Sequence, residues 1–216
     1  MKVLGVSGSP IKNSNSDRAL QAVLDAIGLE SEFIKLSDYT VGPCNACLGC
    51  VTTNRCVIKD DGNTLCDKVK EADVLVVSGF TPYSTLDSRT KAFMERLYPL
   101  RHNNGYLAGK LGAAVITSCV TAPSEMLPPA AQLGANAIHY FMMEEGMNFV
   151  GSLLVHGNVP CVKCGNGDVC QMSGFKMLYG AEATVDSVGI HAFENQLEII
   201  QQAKDLGKKL RESLVF

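Results

Sequence analysis

Five short apolar runs, separated by polar loops and amphipathic stretches, constrain this chain more than any other feature. The clearest is Asp73–Ser78, whose Val-Leu-Val-Val centre shows no alternation and therefore reads as a strand covered on both faces. Lys2–Ser7, Glu32–Leu36, Gly112–Thr117 and Met147–Val155 read as the other four strands. Helical spacing of Leu20, Val23, Leu24 and Ile27 predicts a helix over Asp17–Ile27. Further helices are expected over Asp61–Glu71, Arg89–Tyr98, Pro129–Glu145 and Glu194–Leu214. Strands alternating with helices imply a doubly wound α/β fold, and five of them suit a parallel sheet in the order 2-1-3-4-5. Ligands of such sheets sit beyond the carboxyl ends of the strands, where the polar loops of this chain also fall.

The 216 residues are 46% apolar, which suits one core and one domain over 1–216. Two segments interrupt it, a cysteine-bearing insertion over 43–60 and a Gly- and Cys-containing stretch over 156–189. A loop of the latter length calls for a function or a covalent tie. The net charge of -3 gives no basic footprint, so nucleic acid is not expected as a partner. The apolar start breaks at Ser7-Gly8-Ser9, too early for a signal peptide, and no run approaches a membrane span. Nine cysteines in that setting point to the cytoplasm and to metal or redox chemistry, not to a disulfide framework.

Four of those cysteines, Cys44, Cys47, Cys50 and Cys56, are spaced C-x2-C-x2-C-x5-C. Thiolates two residues apart can turn toward one centre, and a cubane accepts one thiolate per iron, so the spacing suits a 4Fe-4S cluster. Zinc more often takes two separated ligand pairs. The loop Ser7–Ser16 between the first strand and helix concentrates hydroxyls and two asparagines at a helix N-terminus, where N–H groups and the dipole favour an anion. An ordinary N-cap is the simpler alternative. Neither a G-x-G-x-x-G nor a lysine-bearing Walker loop is present.

Ser7-Gly8-Ser9-Pro10, Ser14-Asn15-Ser16 and the four spaced cysteines, trailed by Val57-Ile58-Lys59-Asp60-Asp61, together resemble the iron–sulfur flavoproteins. These form part of the NAD(P)H-dependent FMN reductase branch of the flavodoxin-like superfamily. The resemblance covers residues 1–155 and resumes over the last helix. It implies FMN, with its phosphate held by Ser9, Ser14, Asn15 and Ser16. It sets the ring against the loop Phe80–Leu86, with Pro82, Tyr83, Ser84 and Thr85 as contacts, and against Ser118 in the next loop. Two positions depart from the pattern: Ser84 stands where the family usually has glycine, and Ile11 where it has arginine. Lys12 is the substitute cation expected there. Flavin chemistry requires no side-chain acid or base, so none is assigned, and His102, His139, His156 and His191 are read as surface or structural residues.

A second set, Cys161, Cys164 and Cys170, is spaced C-x2-C-x5-C and lies outside the family pattern. In the order 2-1-3-4-5 the fourth and fifth strands are neighbours, which makes Cys119 the expected fourth ligand of a second cluster or a zinc site. Free thiols or a redox pair are the alternative. Cys66, among apolar neighbours, reads as a small buried hydrophobe. The leading expectation is an FMN- and cluster-containing redox protein that takes electrons from a ferredoxin or NAD(P)H and passes them to a small-molecule or protein acceptor. By the same resemblance it is a homodimer or homotetramer. A flavin or quinone reductase with structural zinc, and a metal-binding module without flavin, are the rival readings.

Overall fold

The computed structural model describes residues 1–122 and 125–214. Its sheet has five parallel strands in the order β2-β1-β3-β4-β5. They are β1 (Val3–Ser7), β2 (Ser31–Lys35), β3 (Val74–Phe80), β4 (Leu111–Ser118) and β5 (Asn148–His156). The sequence-based fold class therefore holds. Both faces of the central strands are buried, which is why β3 tolerates an unbroken apolar run.

Helices α1 (Asn15–Ile27) and α8 (Leu197–Ser213) cover one face. There Leu20, Val23, Leu24, Ala203, Leu206 and Leu210 meet Val74, Val76, Ala113 and Val115. The opposite face carries α2 (Gly62–Glu71), α3 (Ser88–Glu95) and α4 (Ala130–Glu144). On that side Leu65, Val69, Phe93, Met94, Ile138 and Met142 pack on Leu4, Val6, Leu75 and Val77. Among the described residues no helix is long and apolar enough to cross a membrane.

Helix α1 starts two residues ahead of the sequence expectation, because Ser14 is its N-cap and forms a capping box with Asp17. The stretch after β5 is less of a loop than its composition suggests. It forms three short helices, α5 (Cys161–Cys164), α6 (Gly174–Tyr179) and α7 (Val185–Val188). These gather on a small cluster of Val159, Phe175 and Ala183.

Candidate functional site

The loop from β1 to α1 closes on itself at the carboxyl edge of the sheet. Gly8 N–H donates to Ser78 O at 2.8 Å, drawing the loop against β3. Ser9, only 4% exposed, accepts from Ile11 N–H at 3.3 Å. Ser14 Oγ accepts from Asp17 N–H at 3.2 Å. Helix geometry leaves the N–H groups of Asn15 and Ser16 without intrahelical acceptors, and the dipole adds positive character there.

Two expected phosphate contacts have other duties. The Asn15 amide donates to His156 O at 3.2 Å and to His191 O at 2.6 Å, while its oxygen accepts from Phe193 N–H at 3.2 Å. Its side chain thus ties the returning C-terminal segment to α1, and its backbone N–H is what remains for an anion. Ser16 is buried, with its hydroxyl donating to Thr117 Oγ1 of β4 at 2.8 Å. Lys12 lies exposed. The cation docked on this loop is Lys35, at the end of β2, which donates to Ile11 O at 2.9 Å and pairs with Asp17 Oδ2 at 2.6 Å. The only sequence signal for Lys35 was its register opposite Ser7, which requires the strand order to be known.

The loop after β3 projects outward. Tyr83 is fully exposed, which excludes core packing for this ring, and Tyr83 and Ser84 both adopt left-handed backbone, with φ of 49° and 62°. Left-handed geometry explains why a glycine would be favoured at the Ser84 position. Ser84→Gly is accordingly expected to raise stability by about 0.5–1 kcal/mol in urea unfolding, the strain relieved exceeding the added freedom of the unfolded chain. Ser118 is buried and accepts from Thr81 Oγ1 at 2.8 Å and from Val120 N–H at 3.1 Å, so it braces the two loops against each other. Pro82 begins the single 3-10 turn of this loop, and Thr85 N–H closes that turn onto Pro82 O.

The first cysteine segment is a loop closed at its neck. Asp61 N–H donates to Thr40 O at 3.0 Å, and Gly42 N–H to Asp60 Oδ2 at 3.1 Å. Arg96, 2% exposed at the C-terminal end of α3, grips both sides of that neck. Its guanidinium pairs with the two Asp60 oxygens at 2.6 and 2.7 Å and donates to Gly42 O at 3.1 Å. Asn54 pins the far side of the loop by donating to Pro99 O and His102 O.

Within the loop, Cys44, Cys47, Cys50 and Cys56 line one cavity with Arg96 and Tyr98. Ala46 and Leu48, on either side of Cys47, are both left-handed, with φ of 51° and 57°. Ala46 N–H donates to Cys44 Sγ at 3.4 Å. Burial pushes the Cys50 thiol up, and nearby Cys56, Cys44 and Cys47 push it the same way. A coordinated metal compensates thiolate charge gathered in this way outright. The Nε of Arg96 is buried without an acceptor among the described residues, so the cavity wall has a donor to offer. The donor set therefore fits a thiolate-held iron–sulfur group. Cys66 does not belong to it: it sits on the buried face of α2, donates to Arg96 O, and burial pushes its thiol up to about 12.

In the second set Cys161 and Cys164 fall on α5, with Cys161 and Cys170 half-buried and Cys164 exposed. Cys119 and Cys161 both pack against the Val159–Phe175–Ala183 cluster. Among the described residues no three His, Cys, Asp or Glu side chains stand at metal-holding separations, in either set. The histidines expected to be structural include a pair that converges. His156 and His191 rings are 4.2 Å apart, and Tyr179 Oη lies 3.4 and 3.2 Å from their Nε2 atoms. Burial, followed by the neighbouring His191, holds His156 below the usual histidine value.

A family described as NADPH-dependent FMN reductase matches residues 1–147. An iron-sulfur flavoprotein of Methanocaldococcus jannaschii is 29% identical over 216 residues, covering 98% of this chain and 96% of that protein. One from Methanosarcina thermophila is 34% identical over 118 residues, 53% of this chain and 62% of its own length. Among solved structures, a flavodoxin from the Archaea superposes with a TM-score of 0.53 at 17% identity, covering 100% of both chains. An apo NADH:FMN oxidoreductase does so with 0.58 at 14%, covering 98% of this chain and 89% of that one. The two structures share the fold, and the family match over most of the described sheet places this chain in the NADPH-dependent FMN reductase family.

Proposed function

We propose that the protein is a flavin-dependent oxidoreductase that holds FMN at the carboxyl edge of the sheet and an iron–sulfur cluster in the Cys44–Cys56 loop. The observation that carries the reading is the single cavity lined by all four of these cysteines, at the opposite end of α3 from the loop that would receive the ring. Eight helical residues, about 12 Å at 1.5 Å each, link the two sites. FMN when bound supplies the exchange between one- and two-electron steps.

The chain's own residues do the rest. Ser9, Ser14 and the first-turn N–H groups of α1 hold the phosphate, and Lys35 adds the cationic character that Lys12 was expected to give. Thr81 and Ser118 fix the two ring-side loops relative to each other, and exposed Tyr83 offers an aromatic face. The Arg96–Asp60 pair holds the thiolates in register. A ferredoxin or NAD(P)H is the donor, and a small molecule or protein the acceptor. The protein works in the cytoplasm as a homodimer or homotetramer.

An anaerobic visible spectrum with iron, sulfide, zinc and flavin analysis tests the reading. Flavin bands over broad brown absorption are expected. Cys47→Ser should lose at least half of the cluster iron and sulfide while retaining FMN, since the two groups sit on different loops. Stoichiometric zinc without sulfide at these cysteines would refute the cluster, and protein that takes up no FMN would refute the flavin.

A further inference from the structure

The segment after β5 is held together by very little apolar contact. Its cluster has three fully buried members, Val159, Phe175 and Ala183, while Val169, Met172, Met177 and Ile190 are exposed. Three helices of four to six residues cannot hold their own ends by helix propagation. Something further must offset the ordering of residues 157–192.

Four cysteines stand in or beside this segment, and two of them pack on its thin core. Gly157 N–H donates to Ser118 O at 2.8 Å, so the segment leaves β5 hydrogen-bonded to the residue before Cys119. Cys119 and Cys161 then pack on the same cluster. Cys161 and Cys164 stand three apart on one helical turn and share a face. Cys170 N–H donates to Asn166 O at 2.9 Å, closing the turn that follows α5 and ends on the third cysteine of the motif.

Main-chain donors already meet two of the sulfurs. Gly174 N–H donates to Cys161 Sγ at 3.3 Å, and Asn166 N–H to Cys164 Sγ at 3.4 Å. The second of these comes from the residue two positions after the cysteine, as does the Ala46 N–H on Cys44 in the first motif. Gly165, at φ 75°, lets the chain reverse there without strain. Amide donors on sulfur stabilise thiolate charge and are the usual outer shell of a metal–thiolate site.

We propose that Cys119, Cys161, Cys164 and Cys170 hold a second metal centre, a thiophilic metal bound by four thiolates. Its binding is coupled to ordering of residues 157–192, since the four sulfurs must be drawn together as the metal enters. The centre is independent of the Cys44–Cys56 cavity, which is lined by a different segment.

The test uses the full chain purified anaerobically. Iron, sulfide and zinc are counted on the native protein, on Cys164→Ser and on Cys47→Ser. Cys164→Ser is expected to lose one centre and keep the Cys44–Cys56 group, and Cys47→Ser to do the reverse. Loss of iron with equal sulfide identifies a cluster, and loss of one zinc identifies a mononuclear site. Alkylation by iodoacetamide, read residue by residue by mass spectrometry, is the second measurement. Cys164 is exposed, so burial cannot protect it, yet in the native protein it should react at least tenfold more slowly than after Cys170→Ser. Native Cys164 reacting at the rate of a free thiol, or equal metal content in the native protein and Cys164→Ser, would overturn the proposal. The alkylation result on native protein decides alone if the variants fail to fold.

Discussion

Asp60→Asn is expected to lower the melting temperature by about 6–12 °C. Removing one partner of a buried ion pair costs about 3 kcal/mol or more, because the remaining charge is left uncompensated. For a chain of this size, each kcal/mol corresponds to about 2–4 °C. Arg96 is 2% exposed and the Asp60 side chain 9%, so water offers the stranded guanidinium little relief. The effect should also depend on pH. Hydrogen bonds from Arg96, assisted by the Gly62 and Gly42 N–H groups, hold the Asp60 carboxyl at about 2, below its ordinary 3.8. A depressed carboxyl contributes stability above its unfolded value and loses it as pH falls through the folded one. The gap between native protein and variant should thus be full above pH 4 and shrink between about 4 and 2. Thermal unfolding followed by circular dichroism over that range checks both parts, and a gap that persists unchanged at pH 2 would contradict the assignment.

Gly8→Ala is the second large effect. A Cβ on Gly8 would overlap Thr90 Oγ1 and lie 3.1 Å from both Asp87 oxygens. Thr90 is buried and cannot move aside, because its N–H and hydroxyl both donate to the Asp87 carboxylate that caps α3. Forced overpacking of this kind costs about 1–3 kcal/mol. Asp87 Oδ2 also accepts from Phe80 N–H and so fixes the loop after β3, while Gly8 itself seats the β1–α1 loop on Ser78 O, so flavin retention should fall along with stability. Gly151→Ala serves as the control, since its Cβ would sit 3.4 Å from Leu206 Cδ1. Urea unfolding and flavin release by ultrafiltration measure the two effects, and a Gly8→Ala protein that matches the Gly151→Ala control in both would dispose of the argument.

The sheet was readable because its signal is local. An unbroken apolar run such as Val74–Val77 states its own burial, and alternation with helices then leaves few topologies. The start of α1 was placed late because hydrophobic spacing begins inside the helix, whereas the cap that starts it, Ser14 with Asp17, is polar. The cysteine spacing was equally legible, but the clamp that shapes it was not. Asp60 and Arg96 are 36 positions apart, and although Asp60 falls in the family-like run after the cysteines, nothing in the sequence marks Arg96 as its partner. The same distinction separates Lys12 from Lys35. The former lies within the loop it was expected to serve, yet the latter reaches it through strand pairing. His156 and His191 looked unremarkable in sequence because their meeting depends on the segment between them folding back.

That fold-back has a consequence for the order in which the protein matures. Asn15 is bonded to partners 141, 176 and 178 positions away, the first at the last residue of β5 and the other two synthesised after the sheet is complete. Contacts of such long range form late, since the intervening chain must be closed before they reward it. As the chain leaves the ribosome, α1 is among the first helices to emerge, yet its anion-receiving end is among the last parts to be finished. A nascent chain released early would carry the sheet but only a half-built mouth, and on the proposed site the phosphate loop would be complete only in molecules whose C-terminal segment has arrived.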